Sequence, residues 1–226
     1  MSVVEVVEGV RVAHCPGHGE PRTGGNKHKC DEAGSSTGTR VGAGVTERDW
    51  SVQMARDVIA AAPWMRHRML RSGKVGTTYA ERAVTAGNLG TDLVLCHHVD
   101  ASDDPNRDGL ACFVLSGDEL AAEVASAIMR ASPAELRTSR EEPWLCSPDD
   151  WTKRAGYILT KYMEQGVTAV LIEWGFGTSP VDLPVLRDAA SRPAMAVSAA
   201  AGLARMLELL TCESAETHEP GQKAPA

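Results

Sequence analysis

Apolar side chains recur along the chain in two rhythms, one helical and one extended. Trp50, Met54 and Val58 stand at i, i+4 and i+8 and mark one helix face. Thr46 is the predicted N-cap of that helix, with Asp49 three residues on in capping-box position and Pro63 just past the end. Further helices are expected from Thr78 to Leu89, around Leu120, Val124 and Ile128 after the Gly117-Asp118 turn, and from Pro193, a good first-turn residue, to Leu210. Extended runs lie between them. Val10-Arg11-Val12 leads to His14-Cys15, Met65 to Met69 alternates, and Asp92 to His97 is almost continuously apolar. Gly109 to Leu115 is another strand, and Val167 to Ile172 is the clearest of all, ending in Glu173-Trp174-Gly175. Tyr157 to Met163 fits either period, and 132–150, with three prolines, is expected to be irregular. Alternating strands and helices with continuously apolar strands predict a single α/β domain, its mostly parallel sheet covered by helices on both faces.

Composition narrows the picture. The chain has 226 residues, 43% apolar and 23% charged, enough for one sizeable core. The working domain is expected over 1–210. From 211 to 226 the sequence turns to Glu, Pro, Gly, Lys and Ala and is expected to be a disordered tail. A long loop with seven glycines is expected from Gly19 to Gly44. The net charge of −7 argues against nucleic acid and against adsorption to anionic membranes. No run of about 18 apolar residues is evident, so no membrane span is expected. The first residues, Met1-Ser2-Val3-Val4-Glu5, lack a signal-peptide pattern, so synthesis and residence in the cytoplasm are expected. Six cysteines without a CxxC pair are expected to be free thiols.

In doubly covered parallel sheets, ligands gather beyond the carboxyl ends of the strands. His18, His97-His98 and Glu173 fall at such ends. His18 sits in a Pro16-Gly17-His18-Gly19 turn, where a loop histidine is either solvated or a ligand. His97 and His98 point to opposite faces of their strand, so one of the two reaches the site. Glu47, in a first helical turn, serves either as a cap or as a ligand. Glu173 follows a buried apolar run, where a carboxylate requires an ion pair, hydrogen bonds or a cation.

Four segments then stand in a telling order: Cys15-Pro16-Gly17-His18-Gly19, Gly44-Val45-Thr46-Glu47, Leu95-Cys96-His97-His98-Val99-Asp100-Ala101 and Val170-Leu171-Ile172-Glu173-Trp174-Gly175-Phe176. The chain resembles the zinc-dependent N-acetylmuramoyl-L-alanine amidases of the amidase-3 type over roughly residues 10–210. Arg71 and Tyr79-Ala80-Glu81-Arg82 also resemble the family's segment between its second and third motifs. The chain departs from that pattern at Cys15, Cys96 and Asp100, where the family has aspartate, serine and asparagine.

The resemblance implies that His18, Glu47 and His98 bind zinc and that Glu173 is the catalytic carboxylate. It implies peptidoglycan as substrate, cut between N-acetylmuramic acid and L-alanine of the stem peptide. With no export signal recognised, a phage or prophage endolysin released by another agent is the expected setting. The rival readings are another zinc amidohydrolase or carboxypeptidase acting on small N-acyl amino acids or peptides, and a non-catalytic wall-binding domain. Cys15 is expected to be a packing thiol rather than a metal ligand. Trp174 and Phe176 are expected either in the core or lining the substrate groove.

Overall fold

The computed structural model describes residues 9–18, 40–42, 45–70, 78–104, 106–136, 142–148 and 154–216. In chain order the elements are β1 (Arg11–Pro16), β2 (Arg40–Gly42), β3 (Val45–Thr46), α1 (Glu47–Ala61), β4 (Arg66–Met69), α2 (Tyr79–Asn88) and β5 (Leu93–Asp100). Then come β6 (Ala111–Leu115), α3 (Glu119–Arg130), a 3-10 turn (Ala134–Leu136), β7 (Trp144–Cys146), α4 (Arg154–Met163), β8 (Thr168–Phe176), α5 (Asp182–Arg187) and α6 (Arg192–Glu216).

Six strands form one sheet in the order β4-β1-β5-β8-β6-β7. The pairings β4-β1, β1-β5 and β5-β8 are parallel; β6 runs antiparallel to β8 and carries β7 with it. The strands are apolar on both sides because both sides are covered. Val12, Leu93, Leu95, Val170 and Ile172 pack with Met54, Ile128 and Leu203 of α1, α3 and α6. Ala13, Val94, Ala169 and Leu171 pack on the other side with Ala83 and Ala86 of α2 and Ile158 and Leu159 of α4. The predicted α/β class and its two-sided covering are what the structure has.

Several elements differ from the sequence expectation. Strands β5 and β8 run on through His98 and Glu173 rather than stopping before them. Residues 154–163, ambiguous by period, are helical, and the irregular stretch holds β7. Part of the expected Gly19–Gly44 loop belongs to an antiparallel pair, β2 with β3. Residues 19–39, Arg71 and 217–226 lie outside the described residues. The last helix continues through 211–216, six residues into the expected tail.

Among the described residues, helix α6 holds one stretch, Arg192–Cys212, that is long and apolar enough to cross a membrane by length and composition only, a test that a buried core helix also meets. In this fold Met195, Ala199, Leu203 and Met206 of that helix lie in the core. At Gly202 the helix meets α3 so closely that a Cβ would lie 2.5 Å from Ile128 Cγ1.

Candidate metal and catalytic site

Because β1, β5 and β8 are parallel neighbours, their carboxyl ends open on the same edge of the sheet. At the end of β1, the Gly17 N–H donates to His97 O at 2.7 Å. A Cβ on Gly17 would sit 2.7 Å from His98 Nδ1, so only glycine lets the two strand ends close up here. His18 follows with φ of 55°, the one non-glycine residue with positive φ among those described. That conformation costs an imidazole-bearing residue on the order of 1–2 kcal/mol and persists only where neighbours hold it.

Helix α2 does the holding. Its Tyr79 hydroxyl accepts from the His18 N–H at 3.3 Å, and Arg82 Nη2 donates to His18 O at 2.9 Å. Arg82 Nη1 donates to Pro16 O at 2.6 Å and to Cys15 Sγ at 3.2 Å, and the guanidinium lies 4.8 Å from the centre of the Tyr79 ring. Tyr79 and Arg82, at i and i+3 on one helix face, thus grip both ends of the His18 peptide unit. A Thr78–Glu81 capping box starts this helix directly beside the site.

Glu47 arrives from the other side of the sheet. Thr46 caps α1, its Oγ1 accepting from the Asp49 N–H, and Glu47 in the first turn is 2% exposed. Its Oε1 accepts from the Val99 N–H and lies 3.1 Å from His98 Nδ1, and its Oε2 lies 3.1 Å from His18 Nε2. Burial works to raise this carboxyl, but the hydrogen bonds from His18 and His98 override it and hold it well below the usual range. One ligand atom from each of His18, Glu47 and His98 lies within 4.8 Å of the others. Two imidazole nitrogens and a buried carboxylate could together hold a metal ion; three protein ligands with an open position is the number a catalytic zinc site uses.

Glu173 is the Cα partner of His98 on β8. Its Oε2 is buried and has no hydrogen-bond partner among the described residues. Burial, then the charges of Glu47 and Asp100, push its carboxyl well above the usual range. Asp100 closes the same strand end, its own carboxyl raised chiefly by burial. Phe176 and Trp174 both belong to the core rather than to an exposed wall.

A second polar arrangement escaped the sequence reading. His97 turns away from His98, and its Nδ1 accepts from Trp174 Nε1 at 3.2 Å. His97 Nε2 lies 3.0 Å from His14 Nδ1, His14 Nε2 lies 3.0 Å from His67 Nδ1, and His67 Nε2 lies 2.6 Å from Ala62 O. An indole N–H only donates and a carbonyl only accepts, so the protons are fixed: each neutral imidazole carries its hydrogen on Nε2. The row crosses β8, β5, β1 and β4 in sheet order, with every ring nitrogen satisfied. Burial keeps the rings neutral, pushing His14 far down and His97 down to about 3. The sequence signal was three histidines at inward-facing strand positions, meaningful only once the strands are placed side by side.

Comparison with known proteins agrees with this geometry. The family model Amidase_3, N-acetylmuramoyl-L-alanine amidase, matches residues 12–205. No curated protein sequence matches the chain. Among solved structures, the N-acetylmuramyl-L-alanine amidase Ami1 from Mycobacterium smegmatis superposes with a TM-score of 0.69 at 20% identity, covering 89% of this chain and 98% of its own. The amidase AmiC2 of Nostoc punctiforme gives 0.67 at 19% identity, covering 89% and 97%. The catalytic domain of the CD27L endolysin targeting Clostridia difficile gives 0.64 at 16% identity, covering 86% and 97%. These likenesses establish the shared fold, and the family match over most of the length establishes that the chain belongs to the Amidase_3 family of N-acetylmuramoyl-L-alanine amidases.

Proposed function

We propose that the chain cuts peptidoglycan at the amide joining the lactyl group of N-acetylmuramic acid to L-alanine of the stem peptide, with zinc held by His18, Glu47 and His98. The observation that carries this reading is the convergence of those three donor groups, from three separate stretches of chain, beside Glu173, whose buried Oε2 has no hydrogen-bond partner among the described residues. Zinc, when bound, supplies Lewis acidity toward water and the scissile carbonyl. Glu47 contributes the negative charge of the pocket and is fixed by its helix cap and by the Val99 N–H. Glu173 takes the proton of the attacking water and returns it to the leaving amine. A carboxyl raised toward neutrality suits a group that must do both.

Mass spectrometry of digested peptidoglycan, with and without a chelator, tests this. The expected products are free stem peptides beginning at L-alanine, lost on chelation and restored by zinc. Cleavage at another bond, or turnover only of small N-acyl amino acids, would overturn the proposed bond and substrate. Glu173→Ala is expected to keep zinc while losing about 10²–10⁴-fold in turnover; near-normal activity would remove Glu173 from its role.

The setting we infer is that of a phage or prophage endolysin, made in the cytoplasm and released to the wall by another agent. One of the proteins sharing this fold, at 16% identity, is an endolysin catalytic domain. Expression inside a susceptible host should cause lysis only when a membrane pore is supplied. Lysis without one would contradict this setting.

A further inference from the structure

One hydroxyl touches two of the three residues that converge at the sheet edge. Tyr79 is the first residue of α2, and the capping box fixes where that helix begins. Thr78 Oγ1 accepts from the Glu81 N–H at 3.1 Å, and Glu81 Oε2 accepts from the Thr78 N–H at 2.7 Å. The Tyr79 ring is buried in the core cluster that also holds Leu70 and Ala83, and the Arg82 guanidinium lies 4.8 Å from its centre. A ring enclosed in this way delivers its hydroxyl to one place. There the oxygen accepts from the His18 N–H at 3.3 Å and lies 3.5 Å from His98 Nε2.

The two nitrogens of His98 are divided between two neighbours. Nδ1 lies 3.1 Å from Glu47 Oε1 and faces the cluster of ligand atoms. Nε2 faces Tyr79, and the Tyr79 hydroxyl is its one partner among the described residues. A histidine that binds a metal through one ring nitrogen carries its hydrogen on the other. The acceptor of that hydrogen sets both the tautomer and the plane of the ring.

We propose that Tyr79 is a positioning residue of the metal site, its single hydroxyl tying the His18 backbone to the Nε2 edge of His98 so that both imidazoles are aimed at the metal.

A hydroxyl suits this place because it can donate or accept. While Nδ1 carries the hydrogen and donates to Glu47, Nε2 is an acceptor and the Tyr79 O–H can donate to it. When Nδ1 is offered to a metal, the hydrogen sits on Nε2 and the phenol oxygen accepts it. One hydrogen is lost at Nδ1 and one gained at Nε2, so the ring stays neutral. A carbonyl or carboxylate in the same place would serve only the second state. The separation of 3.5 Å is at the long limit for a hydrogen bond, so the contact orients the ring rather than anchoring it. The firmer contact is with His18, whose left-handed backbone needs such restraint. Through one oxygen, the turn after β1 and the end of β5 are thereby held in step. The proposal rests on the reading of His18, Glu47 and His98 as zinc ligands.

The test uses the full chain and its Tyr79→Phe variant, which removes one oxygen and keeps the ring. Both are stripped of metal, and zinc affinity is measured by competition with a chelator. Histidine-ring 15N spectra are then recorded on the zinc-loaded proteins. The wild type is expected to bind zinc through His98 Nδ1, with an Nε2–H that exchanges slowly with solvent. Tyr79→Phe is expected to hold zinc about 10–100-fold more weakly and to lose the slow exchange of that one ring N–H. Its cleavage of peptidoglycan should recover when zinc is supplied in excess, because Tyr79 acts on the ligands and not on the substrate. Unchanged zinc affinity would overturn the proposal. Weaker binding with the His98 ring signal untouched would do the same, since that is the pattern of a packing role. Should Tyr79→Phe fail to fold, the wild-type spectrum decides alone, and zinc on His98 Nε2 instead of Nδ1 overturns the assignment. A wild type that takes up no zinc sinks the zinc-amidase reading and this proposal together. A zinc-binding wild type with an indifferent variant sinks the proposal only.

Discussion

At the scale of single residues, the site depends on close approaches that tolerate no added atom. Gly17→Ala places a methyl 2.7 Å from His98 Nδ1 and 2.9 Å from His97 O, atoms that cannot retreat without moving a proposed ligand. The expected outcome is a loss of about 1–3 kcal/mol in urea unfolding and at least tenfold weaker zinc retention against a chelator. The imidazole row supplies a second prediction. Trp174→Phe keeps a ring in the core but removes the N–H that satisfies His97 Nδ1, leaving that nitrogen buried and unpaired. Stability should drop by about 1–3 kcal/mol in the same assay, while zinc content stays at one equivalent. His18, His98 and Glu173 could be picked out of the sequence because polar residues at the ends of apolar runs are conspicuous. Glu47 was ambiguous alone, since a first-turn carboxylate suits a cap equally well. Tyr79 and Arg82 stood out only through the family resemblance, without their grip on the His18 turn, and the histidine row was not legible as a set. Their partners lie far off in sequence, and only the strand register brings His14 beside both His67 and His97.

At the scale of elements, local chemistry announced the helices better than the strand ends. Thr46 caps the helix it was expected to cap, and Thr78, expected to open the next helix, is its N-cap. Strand β5 was expected to stop at His97 and β8 at Ile172, where apolar character fades; both continue because neighbouring strands still offer pairing, His98 facing Glu173 across them. The reversal of β6 against β8 has no local signature, since Ala111–Leu115 would read the same in either direction. Helix α6 shows how packing uses a small residue. Gly202→Ala introduces a Cβ 2.5 Å from Ile128 Cγ1 and 2.9 Å from Val124 O, the latter a backbone atom of α3. Although alanine favours helix by nearly 1 kcal/mol, overpacking of about 1–3 kcal/mol should outweigh that gain and lower Tm by several degrees. Circular dichroism melts would check it, and a raised Tm would show that the two helices part freely.

At the scale of the whole molecule, the buried histidines set an acid limit. Unfolded, these imidazoles titrate near 6.5; folded, His14 and His97 stay neutral far below that, His97 down to about 3. Between those values the unfolded chain binds more protons, so stability is complete above about pH 6.5 and falls as pH falls through the window. Each such histidine costs up to about 1.4 kcal/mol per pH unit there. Urea midpoints measured from pH 7.5 down to pH 4.5 should therefore decline steadily, and a flat profile would show that the row accepts protons without disruption. The order of the sheet has a further consequence. Strand β5 is bonded on both sides, to β1 and to β8, and His18, His98 and Glu173 lie on or directly after the strands joined by those two seams. Its amides should thus be among the last to exchange with deuterium, through global opening alone. A bound metal would lengthen their protection by the full binding free energy, whereas the short outer strands β4 and β7 would go on exchanging by local fraying.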